Sequence, residues 1–202
     1  MNNDQTVAEN GGMRKIVALV AVLNLAYFGV EFAVALTIGS VSLFADSVDF
    51  LEDASVNLLI CAALGWSQRG RARMGMVLAV ILLVPGIATL VTAWQKFNLP
   101  LAPQPLPLIL TGAGALAINL ACALILARIR HHGGSLTRAA FLSARNDALA
   151  NLGIIVAGIV TALVGCSAWP DLLVGLVIAA MNADAAREVW QAARDEHRGG
   201  VA

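Results

Sequence analysis

The sequence predicts an all-α membrane protein with six transmembrane helices and both termini in the cytoplasm. Three observations carry this. The chain of 202 residues is 59% hydrophobic and only 13% charged, where a soluble domain is nearer half apolar and a quarter charged. Six stretches reach the length of about 20 mostly apolar residues that a span needs. Charges and tryptophans then fall where a bilayer puts them. All but Lys96 and Arg145 of the 13 Lys and Arg lie in the N-terminus, the second-to-third loop, the fourth-to-fifth loop or the C-terminal end, the sides that the positive-inside rule assigns to the cytoplasm. Trp66, Trp94, Trp169 and Trp190 all fall at span ends, as an aromatic belt requires. Six long helices in a soluble core would show neither pattern.

Residues 1–13 form a polar tail expected to be disordered. The first span, Ile16 to Ile38, carries Asn24 and Glu31 and lacks a small-residue cleavage signature, so it reads as a retained span and not a signal peptide. A Gly39-Ser40 break leads to the second span, Val41 to Trp66. A compact basic loop, 67–73, precedes the third span, Met74 to Trp94, with Pro85-Gly86 as a kink. A loop with four prolines leads to the fourth span, Leu108 to Ala127. The polar connection 128–135 leads to the fifth span, which begins near Leu136 to Ala139, with Ser135 as its N-cap, and ends near Val164. After a turn containing Pro170 and Asp171, the sixth span runs from Leu172 to about Trp190. The transmembrane domain is therefore 14–190, and 191–202 is a short cytosolic tail. Cys61, Cys122 and Cys166 are scattered without CxxC spacing, which argues against a disulfide framework or zinc knuckle and for small apolar packing residues.

The second span holds Asp46, Asp49, Glu52 and Asp53. Carboxylates at bilayer depth are costly, and they persist where they pair, line a water-filled path or bind something. Asp49 and Asp53 are one helical turn apart on one face. Asp46 and Asn57 extend that stripe, while Glu52 is rotated off it by roughly 60°. Protons or a cation must occupy such a stripe. The fifth span offers a second polar face in Ser143, Asn146, Asp147 and Asn151. If the two faces meet, Asp49, Asp53, Asp147 and either Ser143 or Asn146 make a four-oxygen cage suited to a divalent cation, with Asp46, Asn57 and Asn151 beside it as supporting or proton-holding groups. For Asp147 to reach this depth, the fifth helix must begin early. Arg145 is expected to pair with Glu52 or Glu31, and Asp184 with Arg187 as a solvated pair. Helix–helix hydrogen bonding alone is the rival reading of an intramembrane Asp, but stacked negative charge holds helices together poorly.

The segment from Gly39 to Asp53 resembles the second-helix motif G-S-x-S-L-x-A-D-[AS]-x-[HD]-x-x-x-D of the cation diffusion facilitator family. The segment from Ala139 to Asp147 resembles the family's fifth-helix [HD]-x-x-x-D, with Ser143 where histidine or aspartate is usual. The resemblance covers roughly residues 14–190. It implies metal ligands at Asp49, Asp53 and Asp147, with Ser143, Asn146 or water as the fourth. It also implies proton-coupled export of divalent metal by alternating access, with glycines of the fifth and sixth helices (Gly153, Gly158, Gly165, Gly175) allowing close approach and rocking. Most members continue into a cytosolic ferredoxin-like domain. About a dozen residues follow Trp190 here, so a short form is expected, and a homodimer would be held by the membrane part. The family's His-rich loop is reduced to His131-His132.

Oxygen ligands favour harder cations such as Mn²⁺, and imidazole or thiolate favours Zn²⁺ and Cd²⁺; the resemblance favours zinc. The expected cargo is Zn²⁺, with Cd²⁺, against H⁺, and the main rival is Mn²⁺, then Co²⁺ or Fe²⁺. No prosthetic group and no enzymatic activity are expected. Neither is nucleic acid; the expected partners are the lipid bilayer and the metal ion. The expected location is a bacterial inner membrane. Rivals of other classes are a proton-coupled carrier of a small organic solute, which would usually be longer and have a broken helix at its site, and an intramembrane aspartyl protease, which two aspartates on one helix fit poorly.

Overall fold

A computed structural model describes residues 3–63, 87–127, 134–164 and 167–199, without the side chains of helical residues 3–11, 13, 60, 62–63, 134–145, 185–186, 188–190 and 192–199. Every regular element among the described residues is a helix. These are α1 (Asn3–Ile38), α2 (Val41–Ala63), α3 (87–98), α4 (Pro105–Ala127), α5 (Gly134–Leu163) and α6 (Trp169–Gly199). The first turns of α1 include part of the polar segment read as a tail. The fifth helix does begin early, one residue before Ser135. The basic loop 67–73, the Pro85-Gly86 kink, most of the loop 128–135, Gly165 and Cys166 lie outside the described residues.

Among the described residues, three stretches are long and apolar enough to cross a membrane: Arg14–Ile38, Pro105–Ala127 and Asn146–Leu163, with mean hydropathies of 2.0, 2.2 and 1.6. The burial pattern reverses that of a soluble bundle. Leu19, Val22, Val30, Leu110, Leu124, Leu149, Val156, Leu173 and Val177 point outward, while Asn24, Glu31, Asp46, Asn57, Asn119 and Asn151 are buried. Water does not favour such an exchange; hydrocarbon does.

At the centre stands α2, which packs against α1, α4, α5 and α6. Its placement begins at the α1–α2 turn. Gly39 ends α1 with φ of 64°, a left-handed conformation that glycine adopts without a Cβ penalty. Ser40 N donates to Ala35 O at 3.1 Å, closing the helix end in the manner of a Schellman motif. Ser40 then caps α2, its Oγ accepting from Leu43 N at 3.1 Å.

The next free N–H groups of α2 are satisfied from α6. Asp171, fully buried, accepts from Val41 N at 2.9 Å and Ser42 N at 3.2 Å, and from the hydroxyls of Ser40 and Ser42, both at 2.6 Å. Its charge also faces the positive end of the α2 dipole. Lys96 at the end of α3 donates to Asp171 at 2.8 Å and to Gly39 O. One carboxylate thus joins the ends of α1, α2, α3 and α6. One turn further along α6, a Cβ on Gly175 would lie 2.8 Å from Ser42 N and from the Val41 carbonyl carbon, so α6 reaches this backbone only because the residue is glycine. Gly158 does the same for α5, where a Cβ would lie 2.6 Å from Ile109 Cγ1 of α4.

The cost of breaking this knot depends on which partner is removed. Asp171→Ala leaves the ammonium of Lys96 buried and two α2 N–H groups without their acceptor, whereas Lys96→Met leaves Asp171 its four remaining donors. Loss of one partner of a buried pair costs about 3–5 kcal/mol. Asp171→Ala is expected at or above that range and Lys96→Met below it, measured as loss of folded protein on heating or denaturant titration in detergent.

Candidate metal site

The cap at Ser40 and the Asp171 contacts fix where α2 starts and how it is rotated. Asp49 and Asp53 fall two and three turns further on. They line a cavity of about 130 Å³ together with Glu52 of α2, Asn146 and Asp147 of α5, and Met181 and Asn182 of α6. The structure therefore brings together four of the five expected ligand positions: Asp49, Asp53, Asn146 and Asp147. The side chains of Ser143 and Arg145 lie outside the described residues.

The supporting contacts come from different helices. Asn24 of α1, fully buried, donates to Asp53 Oδ2 at 3.5 Å and accepts a long contact, 3.6 Å, from the thiol of Cys122 on α4. Asn182 donates to Ala45 O at 3.0 Å, tying α6 to α2 beside the cavity. Asn57 donates to Asp53 O within its own helix. Asn151 donates to Asp46 Oδ2 and accepts from Asn119 of α4 at 3.1 Å.

One expectation needs correction. Glu52 does not stand apart: it lines the same cavity as Asp49 and Asp53, with α6 supplying a third wall. Glu31 packs beside Asp46, within hydrogen-bonding reach; the expected pairing of Arg145 with Glu52 or Glu31 lies outside the described residues. Asp46 itself is absent from the cavity wall and is directed at α1 and α5. Asp184 and Arg187 are both exposed.

Among the described residues no three His, Cys, Asp or Glu side chains converge tightly enough to hold a metal ion; the carboxylates ring the cavity. Two lining residues were missed from the sequence, Met181 and Asn182. The available signal was Asn182, a polar residue inside an otherwise apolar sixth span.

The family model of the cation efflux transmembrane domain matches residues 17–195. The chain belongs to the cation efflux family. No curated protein matches it. As a cation efflux protein it is an integral membrane protein that moves cations, and the matched region takes in every residue of the cavity. In this cation efflux protein the lining offers carboxylate and amide oxygens and one thioether, with no imidazole or thiolate among the described groups.

Replacing Asp49, Asp53 or Asp147 by Asn is expected to lower divalent-metal affinity at least 100-fold in calorimetric titration of the purified protein. Asn24→Ala, which removes one hydrogen bond from Asp53, should cost about 10- to 100-fold, the usual range for a group that orients a ligand. Glu52→Gln should weaken binding measurably; an unchanged affinity would remove Glu52 from the site.

Proposed function

We propose that this protein is a proton-coupled exporter of divalent transition-metal ions, with Zn²⁺, and Cd²⁺ with it, as cargo. The observation that carries the reading is the cavity of Asp49, Glu52, Asp53 and Asp147 inside a helical bundle whose outer faces are apolar. Grouped carboxylates in such a place need a cation or protons, and a metal ion displaces protons from its ligands. Protons arriving from the far side then weaken the ring and release the ion.

All six helices span the membrane in this reading, with both termini in the cytoplasm. The Asp171 knot then lies at the outer end and seals it, and the cavity lies on the cytoplasmic side of that seal. Support comes from positions along α2: Asp171 binds its first turn, while the lining begins at Asp49. The cavity walls are shared between α2, α5 and α6, so an ion bound there senses their relative position. A ligand shifts a conformational equilibrium only through such differential contact.

A second reading, Mn²⁺ as cargo, is favoured by one observation. Apart from the Met181 thioether, the described lining donates oxygen or amide groups only, a set suited to harder ions.

Purified protein in liposomes, acid inside, should accumulate Zn²⁺ and Cd²⁺, and collapse of the pH gradient should cut the accumulation at least tenfold. Asp49→Ala should abolish it. Uptake that ignores the gradient, or that survives in Asp49→Ala, removes the proposal, and faster uptake of Mn²⁺ than Zn²⁺ at equal concentration selects the second reading.

A further inference from the structure

The cavity does not use all the buried acid in the bundle. Glu31 of α1 and Asp46 of α2 are both fully buried. Neither oxygen of Glu31 has a hydrogen-bond donor, and Asp46 Oδ1 has none either. Yet the two carboxyls lie within hydrogen-bonding reach of each other. Two carboxylates in contact, away from water and without donors, would each carry an uncompensated charge. A proton held between them supplies the missing donor and removes one of the charges.

The surroundings are built to hold this pair in place. Asp46 Oδ2 is bound by Asn151 of α5, and Asn151 is bound in turn by Asn119 of α4. The titratable groups facing Glu31 are Asp46 and Asp49 from α2, with Tyr27 one turn before it on α1. Among the described residues, α4 and α5 contribute the neutral Asn119 and Asn151. Asp46 is three residues from Asp49 and does not line the cavity.

We propose that Glu31 and Asp46 form a proton-binding site separate from the metal ligands, and that its shared proton is exchanged during transport. The inference rests on the proton-coupled reading above. A divalent ion at Asp49 repels the proton held one turn away, and the restored proton in turn disfavours the ion; the coupling is reciprocal. The proton leaves as H⁺ to water, and the charge it leaves behind is balanced by the metal ion. Because neither Glu31 nor Asp46 lines the cavity, the metal can bind without the pair while the proton count changes.

The experiment counts protons released per Zn²⁺ bound, by calorimetry in buffers of different ionisation enthalpy. Wild type is compared with Glu31→Gln, Asp46→Asn and the double variant, each of which keeps a hydrogen-bond donor in the pair. Zn²⁺–Zn²⁺ exchange across liposomes reports whether each variant is folded and competent. Both single variants are expected to exchange Zn²⁺ at rates within about threefold of wild type and to release about one proton fewer. The double variant should lose no more than either single one, because one proton is shared. Unchanged release in the single variants, or additive loss in the double one, overturns the inference. A single variant that cannot exchange Zn²⁺ also overturns it, by making the pair part of the metal path or the frame. Wild-type protein that binds Zn²⁺ without releasing protons overturns the coupled reading itself, and the inference with it.

Discussion

The buried carboxylate of Asp171 is the constraint on which the rest depends. A helix that starts inside a bundle has N–H groups with no intrahelical acceptor, and no water reaches them there. For α2 the acceptors are Ser40 Oγ and the two oxygens of Asp171. This fixes the height and the rotation of α2 at one stroke. Gly175 then sets how close α6 comes, since its missing side chain is replaced by the α2 backbone. With α2 placed at its first turn, the direction of every later side chain follows from the helical repeat. Asp49 and Asp53 face α5 and α6 for that reason, and Asp46 faces α1.

That placement divides the polar interior into two compartments. One is closed: Asp46, Glu31, Asn151 and Asn119 are buried together, drawn from α1, α2, α4 and α5. The other is a cavity with polar walls on α2, α5 and α6. In a low-dielectric interior a hydrogen-bonded network is rigid where it is satisfied and costly where it is not. The closed compartment holds the helices in register. In the proposed function the ring around the cavity would hold an ion without enclosing it, as a carrier requires, since an ion bound in a complete cage would not leave.

Much of the architecture was legible in the sequence because the bilayer reads composition. Apolar runs of span length, cations in alternate loops and tryptophans at run ends are properties of single segments, and α1, α2, α4, α5 and α6 each overlap one of those runs, while most of the third run lies outside the described residues. Asp49, Asp53, Asn146 and Asp147 were legible for a related reason: Asp49 and Asp53 share a helix face one turn apart, and Asn146 and Asp147 fit the 3-and-4 spacing of the fifth span's polar residues, and both patterns are local. What was not legible is what depends on a third helix. Glu52 lies off the stripe when α2 is viewed alone, and joins the site only because α6 supplies another wall. Lys96 and Asp171 each looked like an isolated charge at the end of a different span, and their pairing across 75 positions leaves no mark on the sequence around either one. Glu31 lies against another carboxylate, Asp46, a contact between two helices that the sequence around neither one announces.

The same contacts bear on how the proposed transport cycle could run. The Asp171 knot and the Gly175 contact bind α6 to the start of α2 and to the end of α1, with Lys96 adding α3. Independently, Gly112 and Gly158 let α4 and α5 interlock, with Ile154 and Ile109 each filling the space left by a glycine of the opposite helix. The polar lining of the cavity is divided between these groups: Asp49, Glu52 and Asp53 belong to the first, Asn146 and Asp147 to the second. An ion drawing on both binds most tightly at one spacing between them, and loses ligands at any other. Breaking a buried charge pair costs several kcal/mol, whereas the described polar ties between the two groups are single hydrogen bonds, such as Asn151 to Asp46 and Tyr27 to the Thr111 carbonyl, worth about 0.5–3 kcal/mol each. In the proposed cycle the less costly route is movement of the α4–α5 pair against the remainder, at the expense of those hydrogen bonds and with the knot intact as the pivot, and the ion is the group whose binding energy depends on that movement.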